Sequence, residues 1–181
     1  MAKTMDLLKA EHETMRKLLD ILEEQVSLIE EGRETDKYLI GEITDYFRRF
    51  PDMYHHPKED LIFEALEQRS PDTVNKMGDL ESKHEELSQE LHEFTRTVVK
   101  YLLNRDRWKS HFLVRAKKFV TDERAHIDSE ETYFFPIALQ TLSQEDWDNI
   151  DNQVGVFTNP LKTEAEAGCF TEIMKHLEKT V

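Results

Sequence analysis

Over long stretches this chain repeats apolar residues at alternating steps of three and four, and a few of those steps carry histidine or glutamate where leucine would serve. The first stripe is Met5, Leu8, His12, Met15, Leu19, Leu22, Val26 and Ile29. Such spacing puts all of its members on one face of an α-helix. A stripe of the same kind runs through Val74, Met77, Leu80, His84, Leu87, Leu91, Phe94 and Val98, and another through Phe119, Glu123, His126, Glu130, Tyr133 and Ile137. Gly32 suits the end of the first helix, and the turn at Asn104 to Asp106 separates the last two, the later one running from about Trp108 to Leu139. Between the stripes, Asp36 to Phe50 reads as a helix stopped by Pro51, with Pro57 opening a further helix to about Gln68. A break is therefore expected beside His55 and His56.

With only five glycines and five prolines in 181 residues, a turn-rich β fold is disfavoured. The spacing predicts an all-α protein, an up-down-up-down four-helix bundle over residues 1–142, each helix burying one stripe against the others. Residues 143–181 read as a helical extension packing on the bundle or on a partner. Ser143 is the expected N-cap of a short helix over Gln144 to Asp151, Gly155 to Pro160 a loop, and Thr163 the cap of a last helix toward His176.

The 38 acidic residues against 24 basic ones leave a formal net charge of −14, which offers no field for a phosphate backbone, so nucleic acid is not an expected partner. No apolar run approaches the roughly 18 residues of a membrane span, so no membrane partner is expected either. Lys3, Asp6 and Lys9 interrupt the first apolar residues, unlike a signal peptide, and the single cysteine, Cys169, has no partner for an internal disulfide. A cytoplasmic location is expected, with homo-oligomerisation left open and Cys169 read as an ordinary free thiol.

The polar residues on the stripes carry the functional signal. A buried carboxylate without a partner costs several kcal/mol, so Glu130 on a core face asks for a compensating cation. His55 with Glu59 and His126 with Glu130 are each spaced i and i+4, one turn apart on a shared face. His12 precedes His55 by 43 residues and His84 precedes His126 by 42, so the chain reads as two helical hairpins with equivalent donor sets. Four imidazoles and two carboxylates exceed what one tetrahedral zinc takes and include no thiolate, which suits two ions of iron or manganese. His56 with Asp60 competes with His55 and Glu59. The latter pair is preferred because its face continues through Ile62 and Leu66, leaving His56 to support a ligand from behind or to face solvent. Glu123 either hydrogen-bonds a ligand imidazole or sits in water at the bundle's end. Tyr54, Tyr133 and Phe134 read either as a lining of the metal pocket or, by their helical spacing, as ordinary core aromatics, and His92, His111 and His176 as surface groups.

The segment Tyr54-His55-His56-Pro57-Lys58-Glu59-Asp60, the later His126-x-x-x-Glu130 followed by Phe135-Pro136, and the leading His12 and His84 resemble the hemerythrin-like, or HHE cation-binding, domains. The resemblance covers about Thr4 to Leu139. It implies a bundle holding two iron ions as an oxo- or hydroxo-bridged non-haem di-iron centre, with zinc or manganese as substitutes. By position it implies His12, His55, His84 and His126 as terminal ligands and Glu59 and Glu130 as bridging carboxylates. The oxygen-carrying hemerythrins have a further histidine one turn after the third-helix ligand, where this chain has Ser88, and their last carboxylate is an aspartate one residue further on, whereas here it is Glu130. The set is more similar to bacterial di-iron proteins of nitrosative stress and iron–sulfur cluster repair, although their cysteine-bearing N-terminal segment has no counterpart here. The implied function is binding of dioxygen or nitric oxide for sensing, storage or stress response. The alternative is a redox enzyme or iron donor at the same centre, reducing nitric oxide or peroxide or supplying iron to damaged clusters.

Overall fold

Caps set the ends of the helices formed by these stripes. In a computed structural model that describes residues 2–72, 74, 80–154 and 170–179, the side chains of 80–82, 178 and 179 excepted, α1 spans Lys3–Glu30 and is closed by Gly32, whose φ of +72° only glycine adopts cheaply. The Asp36 side chain accepts from the backbone N–H groups of Tyr38 and Leu39 and starts α2, Lys37–Phe50. Asn104 does the same through Arg107 N–H between α4, Leu80–Leu103, and α5, Arg105–Ser129. Among the described residues there is no strand, and no helix is long and apolar enough to cross a membrane. Met77, the Gly155 to Pro160 loop, Thr163 and Cys169 lie outside the described residues.

The break expected at Pro51 does not occur. Phe50, Pro51, His55 and His56 all keep right-handed helical dihedrals, and the chain passes from α2 into α3, His56–Arg69, through a π-helical turn over Pro51–His55. The His56 N–H closes that wide turn on the Pro51 carbonyl. A second π turn, Glu130–Phe134, joins α5 to α6, Phe135–Thr141, and is closed by Phe135 N–H on the Glu130 carbonyl. Each wide turn ends just ahead of a proline, Pro57 or Pro136, whose missing N–H denies the preceding turn an ordinary α-helical donor. The extra residue in the second turn moves the buried register on by one. Phe134, Phe135 and Ala138 are buried, whereas Tyr133, placed on the core face by the sequence spacing, is 66 % exposed.

Helices α1, α2, α4 and α5 pack in a closed ring, α1 touching α2 and α5, and α4 touching the same two. Helix α7, Gln144–Val154, begins at Ser143 as expected and packs against α1 and α3. Its Asp151 carboxylate accepts from the backbone N–H and hydroxyl of Thr4, at 2.9 and 2.6 Å, and so caps α1 from the far side of the sequence. The last described helix, α8, Thr171–Lys179, packs on α2 and takes its cap from Glu42, which accepts from the N–H groups of Glu172 and Ile173.

Two apolar clusters fill the interior. One holds Met15, Phe47, Phe50, Leu91, Phe94 and Phe119 among others, and the second holds Leu8, Ile62, Leu66, Phe134, Phe135 and Trp147. In the first, Phe94 stacks on Phe119 at 4.5 Å between ring centroids, and Phe47 meets Phe119 edge-on at 5.3 Å. Phe119→Ala is expected to lower the free energy of unfolding by about 3–5 kcal/mol, read from urea denaturation of the metal-free protein.

Candidate metal centre

On every helix that contributes to both clusters, the step from one cluster to the other is occupied by ionisable side chains. Along α1, His12 stands between Leu8 and Met15; His55 and Glu59 stand between Phe50 and Ile62; His126 and Glu130 lie near Ile127 and ahead of Phe134. His12, His55, Glu59 and Glu130 are all at most 2 % exposed. Donor atoms of these four lie within 4.8 Å of one another, and so do donor atoms of His56, His84 and His126. All six residues singled out from the sequence thus enter one layer.

The carboxylates connect the two histidine groups. Glu59 places Oε1 3.3 Å from His55 Nε2 and 3.9 Å from His12 Nε2, while its Oε2 is 3.7 Å from His84 Nε2. Glu130 does the same in reverse, with Oε2 3.3 Å from His12 Nε2 and Oε1 3.3 Å and 3.0 Å from Nε2 of His84 and His126. Each acid therefore offers one oxygen to each group. Both oxygens of Glu59, Oε2 of Glu130 and Nε2 of His126 are buried without a hydrogen bond. Four such atoms converge in one layer, and the residues present could hold metal.

His56, read from the sequence as supporting a ligand from behind or facing solvent, lies against His84. An ideal helix turns about 100° per residue, which would carry His56 off the face that holds His55. Its ring instead stacks on His84, with centroids 4.0 Å apart, and Asp52 accepts from or faces its Nδ1 at 3.2 Å. Asp60, its supposed partner, is exposed and has no place in either group. The wide turn that ends at His55 is the local feature separating this segment from an ideal helix, and no composition or spacing rule announces it. His92 and His111 are exposed as expected, whereas His176 is half-buried on α8.

Three further charged residues were not legible from the stripes. Glu11 and Lys58 are both buried, and Glu11 sets Oε2 2.9 Å from His55 Nδ1 while its Oε1 accepts from Lys58 Nζ at 2.8 Å. At the surface, Glu131 Oε1 is 3.0 Å from His12 Nδ1 and accepts from Arg16 at 2.9 Å. Carboxylates on the Nδ1 side fix the tautomer in which Nε2 carries a lone pair toward the centre.

Burial and neighbouring charge compete throughout the layer. Burial disfavours a charged His55, but Glu59 and Glu11 outweigh it and push the imidazole up to about 10. Burial likewise opposes ionisation of Glu130, yet the adjacent imidazoles of His12, His126 and His84 hold it well below the ordinary carboxylate range. His56 is lowered, chiefly by its burial. The His126 side of the layer adjoins a surface cleft of about 620 Å³ lined in part by Lys83, Leu87, Lys118 and Ser129.

Glu123 is 5 % exposed, which excludes the water-filled bundle end as its setting. Burial, offset in part by His126, pushes its carboxyl up to about 7. A carboxyl raised in the folded state lends stability below its unfolded value of about 4.5 and withdraws it as the pH rises through the folded one. Glu123→Gln should therefore leave the melting temperature of the metal-free protein nearly unchanged at about pH 5. At about pH 8.5 it should stabilise the protein by as much as about 3 kcal/mol. Equal effects at both pH values would place water around the carboxyl.

No curated protein matches the chain. The profile of the hemerythrin HHE cation-binding domain matches residues 3–138, which covers the ring of four helices, both wide turns and every residue of the layer. Three-quarters of the sequence is thus accounted for by one cation-binding fold, and the chain belongs to the hemerythrin HHE cation-binding domain family.

Proposed function

We propose that this protein is a non-haem di-iron protein that binds dioxygen or nitric oxide for sensing, storage or stress response. The observation that carries the reading is the split of each buried carboxylate, one oxygen of Glu59 and of Glu130 toward His12 and His55 and the other toward His84. Two separate histidine groups spanned by two acids suit two ions held close together, and imidazole with carboxylate suits iron. On this reading His12 and His55 hold one ion, His84 and His126 the other, and Glu59 and Glu130 both. His56 joins the second set, since its donor atom lies within 4.8 Å of those of His84 and His126.

When bound, the iron pair supplies exchangeable coordination positions and a change of oxidation state. The chain's own residues do the rest. Leu8, Ile62 and Phe135, each at most 1 % exposed, keep bulk water from the His12 and His55 side. Phe135 stacks on His12 at 5.3 Å with planes 9° apart and so fixes the ring's orientation. The cleft beside His126 gives a small ligand a route from solvent.

Purified protein should contain about two iron ions per chain. After anaerobic reduction, exposure to oxygen should produce charge-transfer absorption that fades on deoxygenation, and nitric oxide should produce a distinct spectrum. A preparation that takes up neither ferrous ion nor any other transition ion removes the reading. Glu130→Gln should reduce iron content to about one ion or fewer per chain, because one substitution withdraws a donor from both positions. Since metal binding must displace the proton that the raised His55 favours, apparent affinity should increase between about pH 6 and about pH 8.

A further inference from the structure

The buried Lys58–Glu11 pair has no evident role in the fold. Both residues are at most 1 % exposed, and a buried ion pair is commonly no more stabilising than apolar residues of the same size. Its position is specific. Lys58 Nζ donates to Glu11 at 2.8 Å and to the Tyr54 carbonyl within the first wide turn, and it lies 5.9 Å from the centre of the Phe50 ring. The other oxygen of Glu11 meets His55 Nδ1 at 2.9 Å. A surface counterpart exists at His12, whose Nδ1 meets Glu131 at 3.0 Å while Arg16 grips both oxygens of that acid at 2.9 and 3.1 Å.

Imidazole, carboxylate and cation are thus aligned in that order twice, at both histidines of one group. Among the described side chains the other group lacks the arrangement. His56 meets only the exposed Asp52, and among the described residues no carboxylate lies at hydrogen-bond distance from Nδ1 of His84 or His126.

Resting on the two-ion reading above, we propose that Glu11, held by Lys58, is a positioning residue for one of the two ions, the one at His12 and His55. Through His55 Nδ1 it strengthens that position selectively, and Glu131 with Arg16 does the same, more weakly, through His12. The chemistry is that of a carboxylate accepting an imidazole N–H, which orients the ring and raises the donor strength of the opposite nitrogen. Lys58 supplies the counter-charge that a carboxylate needs in apolar surroundings and anchors it to the backbone of the wide turn. Among the described side chains the two ion positions are therefore unequal: one is braced from outside by two acids, and no such brace is present at the other.

The test is anaerobic titration of the metal-free full-length chain with cobalt(II), read by bound-metal stoichiometry and by the visible absorption of each ion. Wild-type protein should take about two ions per chain. Glu11→Gln, which preserves shape, should weaken one of them by about 10- to 100-fold and alter that ion's absorption band, leaving the other ion's affinity and band unchanged. Lys58→Met should weaken the same ion but add little in the Glu11→Gln background, because it acts through Glu11. Should Lys58→Met fail to fold, Glu131→Gln at the surface supplies the second arm, with a smaller loss at the same ion. Wild-type affinity for both ions in Glu11→Gln, or an equal loss at both, overturns the inference while leaving the two-ion reading intact. A wild-type chain that takes one ion or none overturns that reading and the inference with it.

Discussion

Two carboxylates in the interior govern the arrangement of everything around them. Glu59 and Glu130 lie between two apolar clusters, where an ionised acid is tolerated only beside positive charge or hydrogen-bond donors. The neighbouring imidazoles meet that demand incompletely, and three carboxylate oxygens have no hydrogen bond from the protein. The ring of helices positions donors around this demand. The apolar clusters on either side keep the layer dry enough for the electrostatics to matter.

The wide turns are the second determinant. A proline ahead would ordinarily end a helix, yet at Pro57 and Pro136 the preceding turn dilates and the axis continues. That dilation lets adjacent residues, His55 and His56, serve two different donor groups. In the second turn it exchanges Tyr133 for Phe134 on the buried face and brings Phe135 against His12. Glu130 itself begins that turn, so one of the two residues that touch both groups sits where the helical repeat changes.

Much of this was legible in the sequence because His12, His55, Glu59, His84, His126 and Glu130 occupy positions that regular helices would bury. The helix ends at Gly32, Asp36, Asn104 and Ser143 followed from local chemistry that any chain obeys. What escaped was whatever depended on departure from regularity or on contact between distant segments. Tyr133 was misplaced because a uniform repeat was applied across a turn that breaks it. Glu11, Lys58 and Glu131 each neighbour a stripe residue and read as solvated charge; their burial or bonding comes from another helix crossing over them. Nothing in their own segment reports that crossing.

The cap that Asp151 places on Thr4 spans 147 positions of sequence. A ribosome releases α1 long before that aspartate exists, so the helix's opening turn must wait, its amides open to water. Leu8 and His12 follow directly on that turn. The final fastening of the first donor helix thus waits until all the other histidines of the layer have emerged.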